Sequence, residues 1–207
     1  MAYSVQDLEN TGKFSLLLKI SYNDLLQFVI EHLKKKSVIV IFFWIICIFC
    51  LAIAVYIRIT IAGSYPVLNI LKHSLVGIII LPLLSIPIHE ILHVVPYYIS
   101  GARDLRAGMD LKQYLFYVTA HRFVAGPRKF RIVALFPFVM ISIILLVLIY
   151  FVPDLWKWSI SLLLFLHATM CAGDFALLNF YFINRNKKIY TWDDADKKEA
   201  YFYEKLN

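Results

Sequence analysis

Residues 67–98 read VLNILKHSLVGIIILPLLSIPIHEILHVVPYY. This run is long enough to cross a bilayer, which takes ~20 consecutive apolar residues. Pro82, Pro87 and Pro96 interrupt it, and it carries a carboxylate, Glu90, between two histidines. Charged groups inside a span are costly and mark function by default. The stretch therefore decides two matters together: the chain crosses a membrane, and it carries chemistry inside it.

Three further runs, at 37–57, 132–152 and 158–183, are also long and nearly free of charge. Hydrophobic residues make up 61% of the 207 and mean hydropathy is +0.71, above a soluble domain that is nearer half apolar. The reading is an all-α polytopic membrane protein with four transmembrane helices, a short cytoplasmic β-hairpin and an N-terminal amphipathic helix. Residues 1–36 form the cytoplasmic N-terminal segment, 37–183 the membrane domain with its hairpin loop at about 100–131, and 184–207 the cytoplasmic tail. The first apolar run follows 36 residues and has no small-x-small exit, so it reads as a retained span.

Charge sets the orientation. Of 21 Lys and Arg, only Arg58, Lys72 and Lys157 lie toward the turns joining spans one to two and three to four. The rest precede the first span, separate the second from the third, or follow the fourth. Cytoplasmic loops carry the basic excess, which places both termini and the 100–131 loop on the cytoplasmic side of a cell membrane. The net charge of +7 follows from orientation, with no nucleic-acid role. The partners expected are the lipid bilayer and a membrane protein or peptide substrate.

Outside the spans the signals are weaker. Residues 1–12 read as a polar, loosely ordered start, and 13–20 as a short strand. Ser21-x-x-Asp24 has the form of a capping box opening a helix that ends at the lysines 34–36. Leu25, Phe28, Val29 and Leu33 share one face of it, which lies on the membrane surface or packs on the protein. Residues 114–119 are rich in strand formers, with a turn at 110–113 before them and Gly126-Pro127 after. Cys47-x-x-Cys50 lacks a redox context and reads as small apolar filler. His121 reads as a surface residue, and His32 and His73 as interfacial. The tail carries no assignable chemistry.

His89-Glu90-Ile91-Leu92-His93 is the site. On a helix i and i+4 share a face, so both imidazoles can bind one Zn²⁺ while Glu90 acts as general base. Drawn at random from six His and five Glu, the pattern arises in roughly one such chain in a few hundred. A catalytic zinc usually takes three protein ligands. Of 14 Asp and Glu, only Glu90 and Asp174 lie well inside spans, so Asp174 is the candidate third ligand. At ~1.5 Å per helical residue, from inner edges near 99 and 183, His89 is ~15 Å deep, His93 ~9 Å and Asp174 ~14 Å. The depths agree, although lysines and arginines alone gave the topology. His167 and Cys171 share a helix face with Asp174. His167 could orient Asp174, touch substrate, bind the metal or simply pack. The prolines suit a kinked, hydrated pocket.

With these marks the chain resembles the putative zincin peptidase family of bacterial membrane proteins, once known only as a domain of unknown function. The shared features are His89-Glu-x-x-His93, Cys171-x-Gly-Asp174 two spans later and His167 just upstream, over about residue 68 to the tail. It is also similar to site-2 proteases in placing HExxH on one core span and an Asp-bearing motif two spans on. Ala172-Gly173-Asp174-Phe175 departs from the usual site-2 motif in lacking its Pro and in having Gly before the Asp. The resemblance implies zinc ligands at His89, His93 and Asp174, Glu90 as general base, and a membrane-associated hairpin at 105–124. Tyr114, Phe116 and Val118 would then stand beside an extended substrate strand.

The expected activity is zinc-dependent hydrolysis of peptide bonds in membrane-embedded substrates near the cytoplasmic face. Two alternatives stay open: a non-catalytic membrane binding protein with a structural metal site closed by four ligands, and a small ion or proton pathway through Glu90 and Asp174.

Overall fold

The computed structural model describes residues 3–110 and 115–206. It is mostly helical, with two small sheets. Four helical segments are long and apolar enough to cross a membrane: Val38–Thr60, Val67–Ile99, Pro127–Phe151 and Asp154–Ile183. Each contains or overlaps one expected span, with ends shifted by a few residues. The large outward side chains are those a lipid-facing surface requires, among them Ile41, Ile45, Ile48, Leu83, Ile91, Ile143 and Val147.

The first span is α3 (Val38–Thr60), opened by Ser37, whose hydroxyl accepts the Val40 N–H. Cys47 and Cys50 are buried on its inner face as free thiols, packed in the main core with Phe43 and Leu164. The second span is assembled from α4 (Val67–Leu75), one wide π-turn (Val76–Ile80) and α5 (Leu81–Ile99). Pro82 lacks the N–H that would continue a regular ladder, and the wide turn just before it is the type that marks functional sites. Gly77 in that turn lies against the fourth span: a Cβ there would stand 2.6 Å from the Ser159 carbonyl oxygen.

The third span is α6 (Pro127–Phe151). The fourth is broken into α7 (Asp154–Met170) and α8 (Ala172–Ile183) at Cys171. The break matters, because it puts Asp174 in the first turn of α8, where the helix dipole favours a carboxylate.

Between α5 and α6, strands β2 (Leu105–Asp110) and β3 (Leu115–Ala120) pair antiparallel, as the strand-rich stretch predicts. Gly108 lies opposite Tyr117, whose ring covers it. Tyr114 and the turn at 111–113 lie outside the described residues.

The segments flanking the membrane domain hold more structure than expected, and all-α is too narrow a description. Ser4 and Asp7 close a capping box on a short helix, α1 (Val5–Leu8), in the segment read as loosely ordered. The strand at 13–20 is present as β1 (Phe14–Ser21). It pairs with β5 (Glu199–Lys205), which pairs with β4 (Ile189–Asp194), so the sheet order is β1-β5-β4. The tail is therefore folded back on the N-terminal segment. Burial on both faces explains it: Ile189, Ala200 and Phe202 join the main core, while Phe14 and Trp192 form a second cluster with Val5 and Leu8. Helix α2 (Leu25–Lys34) follows a 3₁₀ turn at Tyr22–Asp24, which Ser21 caps through the Asn23 N–H. The capping box is not formed, because Ser21 accepts the Asn23 N–H in place of the Asp24 N–H that a box requires. Of the two placements read for this helix, packing on the protein is observed. Phe28 and His32 are buried with their rings stacked 4.0 Å apart, and Asn179 of α8 donates to the His32 carbonyl at 2.7 Å.

Candidate metal centre

Helix α5 presents His89 and His93 on one buried face, with ring centroids 5.0 Å apart. Asp174 reaches both from α8: its Oδ2 is 3.2 Å from His89 Nε2 and its Oδ1 3.7 Å from His93 Nε2. The candidate third ligand, two spans away in sequence, therefore meets the two histidines in space. Glu90 is in the same group, with ligand atoms of His89, Glu90 and His93 mutually within 4.8 Å.

A hydrogen bond to His93 fixes which of its nitrogens is free. His93 Nδ1 faces the Val133 carbonyl at 3.0 Å. A carbonyl only accepts, so the neutral ring carries its proton on Nδ1 and leaves the Nε2 lone pair toward Asp174. This is the usual arrangement of a metal-ligating histidine, whose other N–H is held by a backbone carbonyl or carboxylate. His89 Nδ1 faces His167 Nε2 at 3.2 Å, and Cys171 Sγ lies 3.8 Å from that His167 nitrogen. His167 is fully buried and its Nδ1 has no partner among the described residues. It therefore steadies His89 rather than Asp174.

The residues fit a zinc ion. The bare His93 Nε2 and the Asp174 carboxylate turned toward it in an apolar interior are repulsive without a cation or proton between them. Zinc–ligand bonds of 2.0–2.2 Å in a tetrahedron set neighbouring ligand atoms ~3.3 Å apart, and 3.2 and 3.7 Å lie close to that. A second grouping, His89 Nδ1, His167 and Cys171, competes for the same His89 ring.

Glu90 accepts the Val118 backbone N–H at 3.0 Å through Oε2. Val118 is on β3, so the unpaired edge of the two-stranded sheet faces the site. Phe116 and Val118 line a cavity of ≈ 270 Å³ with His89, Glu90, His93 and Asp174. Tyr114, expected in the same row, lies outside the described residues. Other walls of the cavity were not legible: Phe28 and Val29 of α2, and Thr191, Asp193, Ala200 and Phe202 of the sheet. No spacing rule links them to the HExxH.

His121 is not the surface residue expected. It forms a bridge to Asp193, and its Nδ1 accepts the Ala195 N–H at 3.1 Å. That bond leaves the neutral ring's proton on Nε2, facing Asp196 at 3.7 Å. His121, Asp194 and Asp196 stand close enough to hold a cation, but this ring has no free nitrogen to offer one. His73 also has a structural partner, Ser159 at 2.9 Å.

A family model described as putative zincin peptidase matches residues 82–190, just over half of the chain. The match covers α5 through α8 and the start of β4, and begins later and ends earlier than the resemblance drawn from the motifs. No curated protein and no solved structure matches the chain.

Proposed function

The chain belongs to the putative zincin peptidase family, and on that premise we propose that it is a zinc-dependent intramembrane endopeptidase of site-2 protease type. Its substrates are membrane-embedded segments, cut near the cytoplasmic face of a cell membrane. The observation that carries this reading is the convergence of Asp174 on His89 and His93, with Glu90 beside them in a cavity walled by a strand edge.

His89, His93 and Asp174 hold the metal. Zinc, when bound there, supplies a Lewis acid that polarises a carbonyl and acidifies water. Glu90 takes a proton from the attacking water as that oxygen bonds to the scissile carbonyl carbon. The C–N bond then breaks and the proton goes to the leaving amine. His167 and the Val133 carbonyl hold the two rings in register, which matters because a misplacement of about 1 Å can cost ~100-fold in rate.

The substrate must unwind first, because a peptide bond inside a helix is shielded. An unwound segment can add to β3 as a strand, with main-chain bonds giving affinity. The Val118 N–H donates to Glu90 at 3.0 Å. A substrate carbonyl arriving at that N–H takes its place, and the Glu90 carboxylate is released to act as base. Substrate docking and base release are thus the same exchange of one hydrogen bond.

The structural-metal alternative requires a fourth protein ligand. His167 is the only nearby histidine among the described residues outside α5, and it faces the far nitrogen of the His89 ring. That placement favours an open position, as a catalytic zinc keeps. Cleavage of a reconstituted membrane-span peptide, read by mass spectrometry, tests the proposal. A zinc chelator is expected to abolish it and added Zn²⁺ to restore it. Chelator-resistant cleavage would overturn the assignment.

A further inference from the structure

Asp193 sits on β4, outside the family-matched region, yet lines the same cavity as His89, Glu90 and Asp174. The lining of that cavity is chiefly apolar or aromatic, and includes Phe202, Ala200, Tyr22 and Tyr97. Among the described residues no Lys, Arg or His nitrogen lies within ion-pair distance of its carboxylate. The backbone of β4 is nonetheless fixed at this point, since the Asp193 carbonyl accepts the Arg122 N–H at 2.8 Å. Thr119, buried on β3 and lining the cavity, lies beside the carboxylate, but its Oγ1 makes no well-formed hydrogen bond.

An acid in such a place is expensive unless something pairs with it. Burial pushes the Asp193 carboxyl up to about 6, so near pH 7 most of it is still ionised and unmatched. The protein has not supplied a cation. The cavity is where a ligand would.

We propose that Asp193, with Thr119 Oγ1 beside it, forms an acidic subsite that binds a cationic N–H group of the substrate. The inference rests on the peptidase reading for its substrate. The subsite belongs to the tail sheet, which follows the fourth span, so in the proposed orientation it lies on the cytoplasmic side of the metal. Cytoplasmic flanks of membrane spans are rich in Lys and Arg. A span entering from the bilayer would place its apolar part at the metal and its basic flank at Asp193. The cation can be a Lys or Arg side chain or a free chain terminus, which offer the same donor chemistry.

The test uses the full zinc-loaded chain carrying Glu90→Gln, in neutral detergent, so that nothing is cut. The probes are fluorescent Leu/Ala span peptides with one flank residue either Lys or Gln, each with a free or an acetylated amino terminus. The Lys peptide should bind about ten-fold tighter than its Gln partner. The preference should fall to within two-fold in Asp193→Asn and persist for an Arg peptide in Asp193→Glu. A preference that follows the free terminus instead identifies the terminus as the source. Equal binding of all four peptides, or a preference that survives Asp193→Asn, overturns the proposal. Using a ratio within each variant removes any general loss of fold. Repeating the pair with Glu90 restored separates the two readings. Asp193-dependent selectivity without cleavage would leave the subsite standing and reject the peptidase.

Discussion

Glu90→Gln is expected to abolish cleavage while leaving the bound zinc in place. The amide is nearly isosteric and can still accept the Val118 N–H that the carboxylate accepts at 3.0 Å, so neither β3 nor the two histidines need move. What is lost is the carboxylate next to the metal ligands, placed to take a proton from water and return it to the leaving amine. General acid–base catalysis is worth about 10²–10⁴-fold, and the loss here should reach at least the upper part of that range, since one residue performs both transfers. The rate of peptide cleavage and the zinc content are measured on the same preparation. Undiminished cleavage by the Gln variant would remove Glu90 from the mechanism, and loss of zinc would make it a ligand instead.

The second large effect is a ranking of zinc affinities. His93→Ala and Asp174→Ala each delete a proposed ligand. His167→Ala deletes only the group that holds His89 Nδ1 at 3.2 Å. Outer partners of this kind cost about 10–100-fold in metal affinity, and a deleted ligand must cost more. Competition with a chromophoric chelator should therefore order the affinities as wild type, His167→Ala, then the two ligand variants far below. If Asp174→Ala bound zinc as well as His167→Ala, the carboxylate would be an outer partner and the third ligand would lie elsewhere.

The site was legible because the membrane makes its residues conspicuous. Glu90 and Asp174 stand out as carboxylates within long apolar runs, and the pattern of lysines and arginines elsewhere predicts a similar depth for both. The structure brings both to His89 and His93. His167 was found with its role left open among orienting Asp174, touching substrate, binding the metal and simply packing. A continuous helix puts it on the Asp174 face, whereas the chain breaks at Cys171 and His167 turns to His89. The break itself had a faint signal in Gly173, a poor helix former.

The flanking sheet was not legible as a unit. Phe14 pairs with Lys205 and Ser21 with Glu199, so each strand finds its partner at the other end of the chain, and no local pattern reports such a pairing. Asp193 reached the cavity by that route. Read in sequence, it is one of several acids in a polar tail. His121 shows the same difficulty: its partner is the Ala195 N–H, which no side-chain pattern could reveal. The wide turn before Pro82 was only partly anticipated, since proline predicts that a helix is disturbed but not how the chain accommodates it.

X-ray absorption at the zinc edge of the loaded, purified chain tests the central claim most directly. His89, His93 and Asp174 predict one zinc per chain with only nitrogen and oxygen neighbours at about 2.0–2.2 Å, unchanged in Cys171→Ala. A sulfur neighbour near 2.3 Å, lost in Cys171→Ala, would put the metal on the far side of His89 with His167 and Cys171, and would contradict the account.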